Sequence, residues 1–435
     1  MKLRDKNKIL IVLSLFVIYY SCKKEDNGIY PEVDIKKPTE NQVFNVFDSV
    51  HIVASILHQK QLKNVSVAIL RESMVPALQR FHFTPTGHSF ELDTYIFLDD
   101  IELKTGTYYV NVRASDGINH TNAFKKIAIY EAPKTLEGAI IICKNTSHHI
   151  RLVKVDETLT PKTLLDIQTD FGYAGYEPIS KRLLISGKYQ STLFCYDREK
   201  EEIIWQAQVP GAPPASYFQH LIMHNKTAYI ALRNQAIIAY NTNGTLVYNL
   251  PTQNNMYPQH LLIKDNFLIT SQASLSLIDT YIVIYYLSSN AFAQQLKTNL
   301  TPVALFSKDA GNFFFFANNL SGYARMLIYE IQSNNVWQPY ALPQQKLKDA
   351  LQIDSKTYLL AFENSVHRYT YQPNGMTLFV DNIKAVSMAY DQVNNQVWVA
   401  TNDKMVNVYN YPFGNLVHQI QLTDSIKDIV LLFNK

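Results

Sequence analysis

The chain has 435 residues, with 40 Lys and Arg, 37 Asp and Glu, and a formal net charge of +3. Residues 1–21 hold four of the basic residues and one acid, so the rest of the chain carries 36 residues of each charge type. A neutral chain without a basic stripe lacks the electrostatic features of nucleic-acid-binding proteins. We therefore expect no nucleic acid among its partners.

Residues 1–21 have the features of a secretion signal. A basic start precedes an apolar run from Ile9 to Tyr20, and a small residue stands before Cys22. The apolar run is short for a membrane span, which favours a cleaved signal peptide. The alternative is an N-terminal anchor that stays uncut.

The residues around Cys22 resemble the lipobox of Bacteroidota lipoproteins, here Tyr-Ser-Cys. The resemblance implies cleavage before Cys22 and acylation of this residue, with residues 22–29 as a lipidated tether. Two or more acyl chains give stable membrane anchoring. Lys24, Glu25 and Asp26 are similar to the signal that sends such lipoproteins to the outer face of the outer membrane. The resemblance implies a surface-exposed outer-membrane lipoprotein; the alternative is a periplasm-facing anchor.

Residues 30–132 form a segment of the usual size for one domain, with its own strand pattern. The sequence from Gly106 to Gly117 resembles the penultimate strand of immunoglobulin-like and fibronectin-III-like modules, in which a Tyr near the strand start makes a corner bond. Asp116-Gly117 predicts the hairpin turn that follows. The predicted strands are Val50–Ile56, Val65–Leu70, Gln79–Phe83, Tyr108–Ala114 and Ala123–Tyr130.

Residues 133–435 contain a repeat of four short strands, roughly 40–50 residues long, which is the period of β-propeller blades. The last complete copy runs from Lys384 to Ser425, and its strands are separated by Asn-, Asp- and Gly-containing turns. A single four-stranded sheet with two apolar faces cannot bury itself, so the copies must stack. The predicted second strands are Arg182–Gly187, Thr227–Leu232, Asn266–Ser271, Asn312–Asn318, Thr357–Phe362 and Gln396–Thr401.

The two ends of this region each carry part of one further unit. Lys427–Phe433 predicts a lone first strand, whereas Gly138–Thr169 predicts a second, third and fourth strand. Pairing them removes the exposed edges that an open array would have. We therefore predict an all-β fold, an Ig-like β-sandwich followed by a seven-bladed β-propeller closed by strand exchange. Six or eight blades would require one unit to be misread.

The blades resemble quinoprotein-like, YVTN and WD40-like repeats. Asp197 precedes Trp205 with the spacing of the quinoprotein-type repeat, in which the Trp packs blade against blade. Lys200 and Glu201 depart from that repeat, and its calcium-ligand and adjacent-cysteine patterns are absent, so we expect no quinone or other cofactor. The resemblance implies structural blade-docking roles for Asp197, Trp205, Trp337 and His418.

Few residues have the pattern of a catalytic or metal site. Cys143 and Cys195 lie on predicted strands, which favours buried free thiols over the alternative of a disulfide. His148 and His149 are adjacent, so on a strand they would point to opposite faces, and solvated turn residues are the better interpretation than a metal site. Asp99-Asp100 is interpreted as a loop rather than a catalytic pair. We predict no metal site and no catalytic residues.

Two functions remain open, because propellers serve both as binding platforms and as enzymes. The first is a non-catalytic lipoprotein that binds an outer-membrane protein or a glycan. The second is an enzyme of the lactonase, lyase or glycosidase type, for which His220, His260 and Asp349 near the blade starts would have to converge at the axis. Four aromatic- and amide-rich segments are candidate contact loops, although such residues also serve turns: Gly172–Gly175, Pro213–Phe218, Asn254–His260 and Asn318–Tyr323.

Overall fold

The structure, a computed structural model, describes residues 28–146, 148–190, 192–208, 217–253, 255–276 and 279–435. Strands are the regular elements of this described part, so the all-β prediction is confirmed. The chain divides into two compact units, Met1–Pro133 and Lys134–Lys435. No helix in the described ranges has the length and apolar character needed to cross a bilayer.

Unit 1 contains two sheets, one in the order β1-β3-β6 and one in the order β2-β8-β7-β4-β5. All neighbours are antiparallel except β2 and β8, which run parallel. The strands are β1 (Glu32–Lys37), β2 (Gln42–Asn45), β3 (Ser49–Leu57), β4 (Asn64–Arg71), β5 (Phe81–Phe83), β6 (Ser89–Phe97), β7 (Gly106–Ser115) and β8 (His120–Tyr130).

The two sheets of unit 1 share one apolar core, to which Val50 and Ile52 of β3 and Val110 and Val112 of β7 contribute. The Tyr108 hydroxyl donates a hydrogen bond to the Lys104 carbonyl at 2.9 Å, which ties the start of β7 to the preceding loop. The predicted hairpin is also present, since the turn at Asp116-Gly117 joins β7 to β8.

Unit 2 contains seven four-stranded antiparallel sheets within the residues described. Six of them are built from consecutive strands. The strands are β9 (Leu136–Thr146), β10 (His149–Val155), β11 (Pro161–Ile167); β12 (Tyr173–Glu177), β13 (Arg182–Ser186), β14 (Thr192–Asp197), β15 (Glu202–Gln208); β16 (Phe218–His224), β17 (Thr227–Leu232), β18 (Ala236–Asn241), β19 (Leu246–Pro251); β20 (Met256–Lys264), β21 (Phe267–Ser274), β22 (Thr280–Tyr286), β23 (Phe292–Lys297); β24 (Thr301–Asp309), β25 (Asn312–Asn318), β26 (Ala324–Glu330), β27 (Asn335–Trp337); β28 (Asp349–Gln352), β29 (Thr357–Ala361), β30 (Ser365–Thr370), β31 (Gly375–Asp381); β32 (Ala385–Asp391), β33 (Gln396–Thr401), β34 (Met405–Asn410), β35 (Asn415–Gln421); and β36 (Ser425–Phe433).

The remaining sheet joins the two ends of unit 2. Strand β36 pairs antiparallel with β9, with Ile429 opposite Ile141, and completes the order β11-β10-β9-β36. The pairing predicted between the C-terminal strand and the start of this region is therefore present. It leaves β9 with partners on both edges.

The first strands of the seven sheets contact one another in a closed order, β12, β16, β20, β24, β28, β32, β36 and back to β12. We call this arrangement the first-strand ring. Separate apolar clusters pack between successive sheets, for example Phe314 and Phe316 of β25 against Tyr358 and Leu360 of β29. The fold of unit 2 is therefore β-propeller-like, with apolar cores between sheets rather than one central core.

Both described cysteines are free and buried, on β9 and β14. Burial raises the pKa of Cys143 and of Cys195 to about 12. A thiol in such an apolar place stays protonated and unreactive at neutral pH. The two residues therefore act as small apolar side chains of the cores.

Candidate functional site

A cavity of about 370 Å³ lies against the first-strand ring, and we call it the central cavity. Its wall comes from β16, β20, β24 and β28, and most of its residues are apolar, including Ile222, Leu262 and Phe306. The polar wall residues are His220, His224 and Asp349. A mostly apolar cavity with a few polar groups is the usual form of a small-molecule site.

The imidazole rings of His220 and His260 pack against each other, with their centroids 4.7 Å apart. Tyr173 of β12 also packs edge-on against His220, with the ring centroids 5.4 Å apart. The Leu261 amide donates to His220 Nδ1 at 3.3 Å, so this nitrogen is the acceptor and Nε2 carries the proton of the neutral ring.

The pKa values of both histidines are lowered. Burial lowers the pKa of His220 well below its usual value, and the neighbouring His260 lowers it further. Burial likewise lowers the pKa of His260 to about 4, against a hydrogen bond to the Val303 backbone that raises it. Two adjacent rings cannot both be charged without strong repulsion, so the pair is neutral at pH 7.

The pKa values of two carboxyl groups on the first-strand ring are shifted upward, in the opposite direction to those of the histidines. Burial raises the pKa of Asp349 to about 7 and that of Asp428 to about 6, and the charge of Asp428 adds to the effect on Asp349. Asp349 accepts hydrogen bonds from the amides of Ala350 (2.9 Å) and Met388 (3.1 Å). These bonds favour the ionised form, but burial outweighs them.

Asp428 is held by two donors on one oxygen. Its Oδ1 accepts from the Ser387 hydroxyl at 2.7 Å and from the Ile429 amide at 2.9 Å. The Met388 bond to Asp349 and the Ser387 bond to Asp428 link the successive strands β28, β32 and β36 of the first-strand ring. The carboxyl groups therefore already have partners within the protein.

A repeated β-bulge explains why these side chains come together. In five first strands, the pairing register with the second strand shifts by one residue just before an equivalent position. The residues at this position are His220, His260, Ala304, Ser387 and Asp428. A bulge turns the following side chain relative to the regular strand. Equivalent positions on neighbouring strands of a closed ring lie close together, and the side chains converge for that reason.

The arrangement offers hydrogen-bond donors and acceptors: near pH 7 the two histidines are neutral, whereas the two carboxyl groups are partly ionised. No group of three or more His, Cys, Asp or Glu side chains able to hold a metal ion occurs in the described ranges. His220, His260 and Asp349 all lie on strands of the first-strand ring, and His220 and Asp349 line the central cavity. Ser387 and Asp428 also belong to this polar group, although the sequence analysis did not single them out.

The predicted blade-docking residues lie in different environments. The Trp205 indole N–H donates to the Thr242 carbonyl of the next sheet at 2.9 Å, and the ring packs closely on Gly244. Asp197 is buried and its Oδ1 accepts from the amides of Glu199 and Lys200, which closes the turn between β14 and β15.

Trp337 and His418, by contrast, lie exposed on the fourth strands β27 and β35, and Trp337 is 40% exposed. Their blade-docking role stays a prediction. In the sheet β32–β35, Gly414 lies close to the Phe379 carbonyl of the preceding sheet, where a Cβ would have no room.

Other candidates fall outside the site or outside the described residues. His148 and His149 lie at the turn into β10, and Thr146 Oγ1 is 3.0 Å from His149 Nδ1. Cys22, Lys24, Glu25 and Asp26 lie outside the described residues. Asp100 accepts from the Glu102 amide in a loop, as expected.

Two of the predicted contact loops are strands instead. Most of Gly172–Gly175 belongs to β12, and Met256–Lys264 is β20, so the loop interpretation of these stretches was wrong. The reason is packing: Met256 and Tyr257 are buried, and a Cβ on Gly175 would lie 2.6 Å from Leu221 of the neighbouring first strand. Asn318 is buried and its amide bonds to both backbone groups of Leu347, which is a structural role.

No family model and no curated protein sequence matches the chain. Among solved structures, the chain is similar to the computationally designed Ika8 protein (12% identity, TM-score 0.47), over 68% of this chain and 93% of that one. It is also similar to U3-55K (12% identity, TM-score 0.49), over 61% of this chain and 86% of that one. These likenesses are too distant to assign a function. The strands and sheets themselves define an all-β protein whose second unit is propeller-like.

Proposed function

We propose that unit 2 is a seven-bladed β-propeller and that unit 1 is an Ig-like spacer module. The closed contact order of the first strands and the pairing of β36 with β9 support the propeller. The two sheets on one core and the bond from Tyr108 to Lys104 support the Ig-like module.

The proposed function is that of a membrane-anchored lipoprotein, acylated at Cys22, that uses its propeller as a non-catalytic binding platform at the outer membrane. The anchor rests on the sequence of residues 1–26. The partner is a protein or glycan of the cell envelope, with the surface-exposed orientation as the first expectation and a periplasm-facing anchor as the alternative.

One observation favours binding over catalysis. Both carboxyl oxygens of Asp349, the carboxyl group that lines the central cavity, already accept bonds from backbone amides of the ring strands. A catalytic carboxyl group needs an oxygen free to reach the substrate. The central cavity is therefore better suited to holding a small ligand group than to transferring protons.

The test combines acylation, surface exposure and partner capture in cells that make the full chain. Metabolic labelling with an alkyne fatty acid should label the wild type and not Cys22→Ser. Protease added to intact cells should remove the propeller if the protein faces outward. Pull-down with the acylated protein should recover an outer-membrane protein or a glycan. Absence of label, or a labelled protein that binds neither class, would contradict the proposal.

A second candidate is an enzyme with its active site in the central cavity. The pairing of His220 with His260, with His220 and Asp349 in the wall of one cavity, is the observation that favours it. A panel of lactones, glycosides and uronate polymers should then give turnover that His220→Gln abolishes, whereas His148→Gln has no effect. Lack of turnover across the panel would leave the binding function as the better account.

A further inference from the structure

A second cavity, of about 310 Å³, lies between the closing sheet and the β12–β15 sheet, and we call it the lysine pocket. Three of its wall residues are lysines, and two are aromatic. The residues that matter here are Lys144, Asp170, Phe171, Lys188, Tyr189 and Lys427.

The pocket has an excess of positive charge. None of its three ammonium groups has an ion-pair partner among the residues described, whereas nearby Asp424 is paired with Arg151 at 2.9 Å. The single carboxylate in the wall, Asp170, accepts from the amides of Tyr189 (2.8 Å) and Gln190 (3.2 Å) and so is already used by the loop. Three like charges around one cavity repel one another, and a bound anion would relieve this repulsion.

The fold holds the three lysines in place from different elements. Lys144 lies on β9 opposite Ser425 of β36. Lys427 is the extra residue of the bulge in β36, so that Lys427 lines the lysine pocket while the next residue, Asp428, bonds Ser387 in the ring. The loop that carries Lys188 is fixed by the amide of Tyr217, which donates to the Lys188 carbonyl at 2.6 Å.

We propose that the lysine pocket binds an acidic sugar, a pyranose that carries a carboxylate or a phosphate. Lysine ammonium groups bind such anions as point charges. Tyr189 is 57% exposed, with the Lys188 ammonium 6.0 Å from its ring centroid, and Phe171 also lines the pocket, so aromatic surface is available to the apolar side of a sugar. The volume is at the lower end of the range for small-ligand sites, which suits one or two sugar rings.

This inference rests on the proposed binding function of the propeller and names a ligand class for it, but it does not depend on the lipid anchor. The experiment is titration calorimetry of the full-length chain in detergent with glucuronate, glucose 6-phosphate, inorganic phosphate and glucose. We expect binding of the two acidic sugars that weakens with added salt, and no binding of glucose. Lys144→Gln/Lys427→Gln should weaken binding about tenfold or more, and Tyr189→Ala should also weaken it.

Lys346→Gln, an exposed lysine of unit 2 outside the pocket, is the matched control and should bind like the wild type. The inference is overturned if the acidic sugars do not bind, if the double variant binds as well as the control, or if inorganic phosphate binds as tightly as the sugars. If the sugars fail while pull-down still recovers an envelope partner, only this inference fails. If both fail, the binding function fails with it.

Discussion

The rings of His220 and His260 lie 4.7 Å apart on neighbouring first strands, and both are neutral at pH 7. The pKa of His260 in the folded protein is about 4, below its value of 6.5 in the unfolded chain. The unfolded chain therefore binds more protons between pH 6.5 and pH 4, and the contribution of His260 to stability falls as the pH falls through this range. The pair is thus an acid-sensitive element of the ring.

We expect His260→Phe to reduce this acid sensitivity. Phe has a similar ring and cannot be protonated, so the free energy of unfolding should fall less steeply below pH 6.5, by up to about 1 kcal/mol per pH unit. Urea unfolding at pH 7, 5.5 and 4.5 measures the difference from the wild type. His148→Phe, at an exposed turn, is the control. Parallel curves for the wild type and His260→Phe would mean that His260 is protonated as easily in the folded state as in the unfolded one.

The raised pKa values of Asp428 and Asp349 predict that their contribution to stability falls as the pH rises, which is opposite to the effect of His260. The pKa of Asp428 is about 6 in the folded protein and 3.8 in the unfolded chain, so the folded state holds its proton more tightly. The stability contribution of Asp428 is therefore greatest below pH 4 and is lost as the pH rises to about 6. The pKa of Asp349 near 7 extends the same trend to higher pH.

Asp428→Asn should raise the free energy of unfolding at pH 8 by about 1–2 kcal/mol and change it little at pH 4. The side-chain oxygen of Asn can still accept from Ser387 and Ile429, which now bond a single oxygen, so only the charge is lost. Carbon NMR of the Asp349 carboxyl group should show a lower pKa in this variant, because a neighbouring negative charge is gone. Asp403→Asn, at an exposed turn, should change neither quantity. A destabilised Asp428→Asn at pH 8 would show that the charge of Asp428 is favourable.

Two of the three tryptophans, Trp205 and Trp337, provide a matched test of packing between sheets. Trp205→Ala removes the bond to the Thr242 carbonyl and the contact with Gly244, and should lower the free energy of unfolding by about 3 kcal/mol or more. Trp337→Ala, at a 40% exposed position, should lower it by less than about 1 kcal/mol. Thermal and urea unfolding of both variants measure the difference. Equal effects would mean that Trp337 also packs against a neighbouring sheet in solution.

The strand positions in much of unit 2 could be predicted from the sequence because its second strands are buried on both faces and are therefore continuous apolar runs. Thr227–Leu232, Asn312–Asn318 and Gln396–Thr401 were predicted with the bounds that the structure has. Strand β6 was missed, since only Leu92 and Ile96 of Ser89–Phe97 are buried, and Tyr95 and Phe97 place exposed aromatic residues on the opposite face. A strand that covers a core with two side chains has too weak an apolar pattern to be recognised.

The site was harder to predict than the fold. His220, His260 and Asp349 were candidates because they stand near blade starts, but the proximity of the two histidines depends on strand order and on bulges that no local sequence pattern predicts. Ser387 and Asp428 follow the same kind of bulge in their own strands. Aligning the repeats on their second strands is the one sequence signal that could have placed Ser387 at the strand position equivalent to that of the histidines.

The pairing of β36 with β9 makes a last prediction about stability. A chain that ends at Asp424 lacks β36, so β9 becomes an open edge and the buried side chains of Ile426, Ile429 and Leu432 are lost. Each buried aliphatic side chain contributes about 1.5–3 kcal/mol, and whole domains are stable by only about 5–15 kcal/mol. We therefore expect the shortened chain to lose its cooperative unfolding transition and to associate through the open edge.

Size-exclusion chromatography with light scattering and near-ultraviolet circular dichroism measure these two effects. A chain without Lys435 alone keeps all of β36 and should behave as the wild type. Leu432→Ala, a fully buried position, should give an intermediate result, a folded monomer less stable by about 2–5 kcal/mol. A monomeric, cooperatively folded chain that ends at Asp424 would contradict this prediction. It would show that the contacts among the other six first strands hold the sheets together without the closing strand.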